Sequence, residues 1–254
     1  MHPDEVVCIL YFCMFSGKFE GFFMDGKLFL VSTPIGNLND ITLRALETLK
    51  SVDLIAAEDT RHTRQLLAHF DIHARLESCH SFNEHSKVDS LVKYVLDGHS
   101  VALVSDAGTP SVADPGFLMV RQALEAGIEP VVIPGVSALT FSVTASGLPV
   151  DKFAFWGFAP VKPGKRGKFF ARILADGRTG FFFESPFRIA RTLKELSDIS
   201  PEAKVSVIRE ATKIHEEILR GSAAELAALK REWKGEIVVG VHPAEDIEIE
   251  KDND

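Results

Sequence analysis

Leu28-Phe29-Leu30-Val31-Ser32-Thr33-Pro34-Ile35-Gly36-Asn37 decides how the rest of the chain is read. A short apolar run, 28–32, passes directly into a Thr-Pro-x-Gly-Asn turn, which reads as a strand buried on both faces that ends in a loop. The same pattern recurs twice. Residues 101–104 lead into Ser105-Asp106-Ala107-Gly108-Thr109-Pro110 and then Ala113-Asp114-Pro115-Gly116, and residues 130–133 lead into Pro134-Gly135-Val136-Ser137-Ala138. Glycine lets a backbone approach a ligand closely, and proline presets the turn. Every α/β protein has such turns, but three in one half, one of them carrying Asp106 where a ribose or an amine is gripped, point to a binding site. Its candidates are Pro34, Gly36, Asp106, Ala107, Gly108, Thr109, Pro110, Pro134, Gly135, Ser137 and Ala138.

Further strands are expected at 54–57, 153–156, 180–183, 205–208, 217–220 and 237–241. Helical spacing marks 41–49 with Asp40 as its N-cap, 63–70, 88–96, 117–126 with Gly127 as its stop, and an apolar helix at 137–146. Strands alternating with helices indicate βαβ units and a mainly parallel sheet, in which ligands bind beyond the carboxyl ends. Past Gly147-Leu148-Pro149 the strands become denser, with a hairpin over 205–220 and helices at 186–196 and 223–232. Two α/β domains are expected, 28–146 and 147–244, flanked by an N-terminal extension (1–27) and an acidic tail (245–254).

The formal net charge of −8 speaks against a nucleic-acid partner until its distribution is considered. The first 27 residues carry −2 and the last ten −5, which leaves −1 for the body. Within it, residues 162–191 hold eight basic residues against two acids, a concentration that permits a polyanionic partner and equally suits a solvated helix face. Phe169 and Phe170 lie among these charges. They either stack on unpaired bases or, the arrangement expected, face the core of their helix.

No G-x-G-x-x-G follows a strand and no G-x-x-x-x-G-K-[ST] occurs, so the loops suit a nucleoside-like ligand without a pyrophosphate. S-adenosylmethionine is one such ligand; spacing alone does not name it. Cys8, Cys13 and Cys79 are odd in number and lack C-x-x-C spacing, which fits neither a disulfide framework nor a zinc site and suits a reducing compartment. No metal is expected. The apolar stretch 6–15 is too short to span a bilayer, and Asp4-Glu5 is the wrong charge for a secretory signal. With Met24 as an alternative start, residues 1–27 are expected to lie outside the fold of a cytoplasmic protein.

Several runs resemble one family closely: residues 30–38 and 40–46, Ala57-Glu58-Asp59-Thr60-Arg61-His62-Thr63, Ser81-Phe82-Asn83-Glu84-His85, residues 103–110, Glu184-Ser185-Pro186, and Arg209-Glu210-Ala211-Thr212-Lys213. Together they are similar, in order over about 28–241, to the ribosomal RNA small subunit methyltransferase I family. The resemblance implies a tetrapyrrole-methylase fold of two α/β domains, with S-adenosylmethionine in the cleft between them, and a homodimer. It implies methylation of the ribose 2′-oxygen of a decoding-region cytidine in 16S rRNA, with the small ribosomal subunit as partner. It also extends the cofactor site to Glu184, Ser185, Pro186 and Glu210. Two positions depart from the family pattern, Phe187 where histidine is usual and Val136 where proline is common. A methylase of the same fold acting on a tetrapyrrole or a protein is the alternative, and a non-catalytic RNA-associated module the third reading.

A ribose hydroxyl is a poor nucleophile until it loses its proton, so a base is sought beside the strand ends. Glu58, Asp59, His62 and Glu84 are candidates, with Glu58, Asp59 and Arg61 taken as the catalytic set. Asp59 precedes a helix and equally suits its N-cap. Arg61 and Arg64, with Lys162, Lys165, Arg166 and Lys168, are the expected RNA contacts, because guanidinium and ammonium groups bind phosphates. Glu210 and Lys213 are expected to pair.

Overall fold

The computed structural model describes residues 26–79, 84–114 and 116–244, the first three residues of the helix at 84 by their backbone alone. The acidic tail, all of the extension but Gly26 and Lys27, His80, Ser81, Phe82, Asn83, Pro115 and the side chains of Glu84 and His85 lie outside it. The Lys27 carbonyl accepts from Val101 N at 2.7 Å, immediately ahead of the first strand.

Five parallel strands form that sheet in the order β3-β2-β4-β1-β5: β1 (Leu28–Val31), β2 (Leu54–Ala57), β3 (Arg75–Ser78), β4 (Val101–Val104) and β5 (Val131–Ile133). The apolar runs are continuous because both faces are covered. Leu28, Leu30, Leu54, Ala56, Val101 and Leu103 pack under α3 (Glu84–Leu96) and α4 (Phe117–Glu125). Val31, Ile55, Ala57 and Val104 alternate to the other face, under α1 (Leu43–Ser51) and α2 (Thr60–His69). The edge strand β3 has no counterpart in the sequence reading. Arg-Leu-Glu-Ser carries one apolar side chain, and it is a strand because its backbone pairs with β2 from Leu54↔Arg75 to Ala57↔Ser78.

The second sheet is mixed, β6-β7-β10-β8-β9: β6 (Phe153–Phe158), β7 (Thr179–Glu184), β8 (Lys204–Arg209), β9 (Glu217–Ser222) and β10 (Ile237–His242). β8 and β9 form the expected antiparallel hairpin. One face is covered by α6 (Pro163–Asp176), α7 (Ile189–Ile199) and α8 (Ala223–Ala227). The other face, through Phe181, Ile208 and Val238, receives α5 (Ala138–Ala145), the apolar helix that follows β5. A helix apolar on most sides needs cover on most sides, and the second sheet provides it. The two halves therefore meet along α5 and enclose a cleft beside it.

Several local expectations are corrected. Thr42, not Asp40, caps α1, its Oγ1 accepting from Ala45 N at 3.1 Å; Asp40 closes a single 3-10 turn instead. α2 starts a turn early because Asp59 caps it. α7 starts three residues late, after a turn at Ser185–Arg188. α8 stops at Ala227 rather than 232, since Arg231 leaves the helical path to bond Glu217 at 2.9 and 2.7 Å and to cover the Trp233 ring.

The largest correction concerns Arg166. Among the expected phosphate ligands it alone is buried, 1% exposed, with two bonds to Glu195 at 2.7 and 2.6 Å that tie α6 to α7. Phe170 is buried beside it and Phe169 packs on Trp156 and Phe182, so both rings face the core. Removing one member of a buried pair strands the other. Arg166→Ala is expected to lower unfolding free energy by about 3 kcal/mol, whereas Lys165→Ala and Lys168→Ala change it by less than about 0.5 kcal/mol. Urea unfolding checks this; a wild-type midpoint for Arg166→Ala would remove the pair from the account of stability.

Candidate functional site

β4, β1 and β5 are neighbours, so their three glycine/proline loops leave the sheet side by side. Hydrogen bonds then lock the loops together. Thr33 N donates to the Gly108 carbonyl at 2.9 Å and Gly108 N returns to the Thr33 carbonyl at 3.0 Å. Ser32 Oγ lies 3.0 Å from Thr109 Oγ1, and Thr33 Oγ1 donates to the Ser105 carbonyl at 3.2 Å. A Cβ on Gly135 would stand 2.8 Å from that of Ser32, so the third loop reaches the first only as glycine.

Between these loops and the second sheet lie two chambers of about 390 Å³ each, which share Ile35, Asp106, Ala107 and Glu236. The first is lined also by Thr33, Pro34, Gly36, Leu38, His62, Gln65 and Lys213. The second takes Glu58, Gly108, Thr109, Asp114, Ser137 and Ala138 from the first half, and Phe158, Phe183, Glu184, Ser185, Pro186 and Ile237 from the other. The halves touch where Asn37 N donates to Thr212 Oγ1 at 3.1 Å.

Five carboxylates border this space: Glu58, Asp106, Asp114, Glu184 and Glu236. Burial, reinforced by Asp114 and Asp106, pushes the Glu58 carboxyl up to about 7, against a hydrogen bond from the Asp106 backbone. Burial likewise raises Asp114 to about 6, helped by Asp106 and Glu236 and opposed by Ser105. Asp106 accepts from Asp59 N at 2.8 Å, which ties the end of β4 to the end of β2.

Asp59 behaves in the opposite way. Its carboxylate accepts from the Arg61 guanidinium at 3.1 and 2.7 Å and from Arg61 N at 2.8 Å, and these bonds hold it far below the usual carboxylate range. It is a helix cap and an ion-pair partner, and of the three catalytic candidates only Glu58 lines the cleft. Arg61 and Arg64 are exposed on α2, and neither lines the cleft.

Of the expected cofactor residues, Pro110, Pro134, Gly135 and Glu210 support the cleft without lining it. Glu210 takes a positive φ of 51° and accepts from Lys213 Nζ at 2.8 Å and Glu236 N at 2.9 Å, fixing the turn that presents Glu236. The expected Glu210–Lys213 pair is formed. Glu184 lines the second chamber, but its side chain is fully engaged by Ser185 N, Thr192 Oγ1 and Arg188. Asp114, Glu236 and Phe158 have no sequence signal as site residues: Asp114 lay within a loop already singled out, whereas Glu236 and Phe158 reach the cleft only through the second sheet.

A family model described as tetrapyrrole (corrin/porphyrin) methylases matches residues 27–227. Relatives called ribosomal RNA small subunit methyltransferase I include one from Xylella fastidiosa, 45% identical over 231 residues, 89% of this chain and 85% of that one. Another, from Vibrio cholerae, is 46% identical over 224 residues, 86% and 78% of the two chains. Among solved structures, uroporphyrin-III-C-methyltransferase from Thermus thermophilus aligns with a TM-score of 0.62 at 20% identity, covering 86% of this chain and 95% of its own. A diphthine synthase aligns with a TM-score of 0.66 at 16% identity, covering 85% and 90%. At such identities these structures speak for the fold alone.

The carboxyl shifts make stability depend on pH. Folded Glu58 keeps its proton up to about pH 7, whereas an unfolded glutamate loses it near 4.5, so the native state loses stability as pH rises through that window. Glu58→Gln is therefore expected to gain on wild type between pH 4.5 and 7, by about 1 kcal/mol once screening by cleft water is allowed for. Unfolding midpoints of the two proteins that run parallel from pH 4 to 8 would contradict the shift.

Proposed function

This chain belongs to the tetrapyrrole methylases, within the ribosomal RNA small subunit methyltransferase I family, and from that premise we propose that it transfers methyl from S-adenosylmethionine to small-subunit rRNA. The acceptor in this reading is the ribose 2′-oxygen of a decoding-region cytidine in 16S rRNA, presented by the small ribosomal subunit to a cytoplasmic homodimer. No helix among the described residues is long and apolar enough to cross a membrane.

The observation that carries the proposal is the make-up of the cleft. Its flat apolar surfaces, Ile35, Phe183, Pro186 and Ile237, and the backbone edge of residues 106–109 suit a nucleoside, and its carboxylates suit a cation. A pyrophosphate would be repelled, because the lysine that lines the cleft is already held by Glu210 and Glu236. The residues present therefore fit a nucleoside that bears a sulfonium. When bound, that group supplies an electrophilic methyl.

The remaining work falls to the protein. Asp106, fixed by Asp59 N, orients the donor together with Gly108, Thr109, Ser137 and Ala138. Positioning of the two reactants is worth up to about 7–11 kcal/mol in favourable cases. Glu58 takes the 2′-hydroxyl proton, adding roughly 10²–10⁴-fold, and a positive charge in the cleft favours its ionised form. Asp59, held by Arg61, is too weak a base for this step. Arg61 and Arg64, exposed on α2, with Lys162, Lys165 and Lys168, meet phosphates.

Mass mapping of 16S rRNA ribose methylation with and without the protein tests the assignment; an unchanged map, with no label accepted by small subunits in vitro, would refute it. Asp106→Ala is expected to abolish donor binding in calorimetry. Glu58→Gln should lower kcat at least about 100-fold while leaving donor affinity near wild type, and a kcat within a few-fold of wild type would remove Glu58 as the base.

A further inference from the structure

Among the described residues the two most exposed large apolar side chains are Ile214, at 96%, and Phe187, at 95%. Each directly follows a residue that lines the cleft, Lys213 and Pro186 respectively. Large apolar groups held in water at the mouth of a site mark a contact surface.

The backbone at Phe187 is held in place. Its N–H donates to Ser185 Oγ at 3.3 Å. The next residue, Arg188, bonds Glu184 at 2.7 Å and the Ala159 carbonyl at 3.3 Å, which brings the segment after β6 alongside. That segment carries the exposed Val161 and follows Phe158, an exposed ring that lines the second chamber. Phe158 is aimed there by a bulge. The β6–β7 register slips between Phe155 and Phe158, around Gly157 with its φ of 67°. Exposed cations neighbour this aromatic lip in the chain: Lys162, at the N-cap of α6, and Lys165, in its first turn, follow Val161, and Arg191 on α7 follows Phe187 by one turn. The Arg166–Glu195–Arg191 network holds those two helices together.

We propose that Phe187 is the platform on which an unpaired base of the RNA acceptor stacks, with Phe158 extending the aromatic surface into the cleft and Lys162, Lys165 and Arg191 meeting the flanking phosphates. This rests on the rRNA reading above. A ribose enters a cleft of this size only if its nucleotide leaves the stack, and an aromatic face replaces the stacking that is lost. A few flat side chains neighboured by cations match an unpaired nucleotide. The core of a protein–protein interface, by contrast, is depleted of charge.

The test is steady-state methyl transfer to small-subunit particles, with donor affinity and oligomeric mass measured alongside. Phe187→Ala and Phe187→Ile should each raise KM for the particle roughly tenfold, with little change in kcat and with wild-type donor affinity. Phe187→Trp should stay within about twofold of wild type, because it keeps a π-face. A wild-type KM for Phe187→Ala, or for the aliphatic Phe187→Ile, would overturn the stacking role. So would a change of oligomeric mass in Phe187→Ala, which would mean that a second copy of the chain covers the ring. If the unsubstituted protein transfers nothing to RNA, the rRNA reading itself fails and this inference falls with it.

Discussion

Thr33 and Gly108 exchange two backbone hydrogen bonds just beyond the carboxyl ends of β1 and β4, and the floor of the cleft hangs from that exchange. Parallel strands deliver their loops to one edge of a sheet but leave them free to diverge. Here the two bonds hold the 105–109 loop over β1, and Ser32 and Thr33 reinforce them through Thr109 and the Ser105 carbonyl. Asp106 carries the connection onward by accepting from Asp59 N. The ends of β1, β4 and β2 are thus set relative to one another, and Glu58 with them.

The opposite wall depends on a second constraint, the cover that α5 needs. Its apolar side chains pack on Phe181, Ile208 and Val238, and Arg220 Nε closes its end on the Ser146 carbonyl at 2.9 Å. That docking brings the end of β7 and the start of β10 against the loops of the first sheet. Glu210 then fixes the turn at Glu236 from a left-handed backbone, a conformation a glutamate keeps only where its surroundings hold it.

Charge in the site is sorted by depth. Carboxylates lie in the interior, where burial, and after it one another's charge, lets Glu58 and Asp114 hold their protons to unusually high pH. Lys213 lines the first chamber and Arg166 is buried; the remaining lysines and arginines of α6, α7 and α2 stand outside. Under the proposed function, this layout draws the cationic donor inward and the polyanionic acceptor outward, so that the two do not compete. The overall charge of −8 conceals this arrangement, because net charge carries no information about depth.

β1, β2 and β4 were legible in the sequence because they are buried on both faces and read as apolar runs; the loops followed, since glycine and proline announce turns wherever they stand. β3 was not legible, as an edge strand made by backbone pairing leaves little mark on its side chains. The same division runs through the site. Residue type and spacing picked out the loops around Asp106 and Gly108 and the acidic pair at the end of β2. They left open which member of that pair was free to act and which arginine was free to meet a phosphate. Only the tertiary structure decided that Asp59 is spent on a helix cap and Arg61 while Glu58 faces the chambers, and that Arg166 is locked to Glu195 inside the fold. Availability depends on burial and on partners 29 residues away in the chain, and local sequence encodes neither.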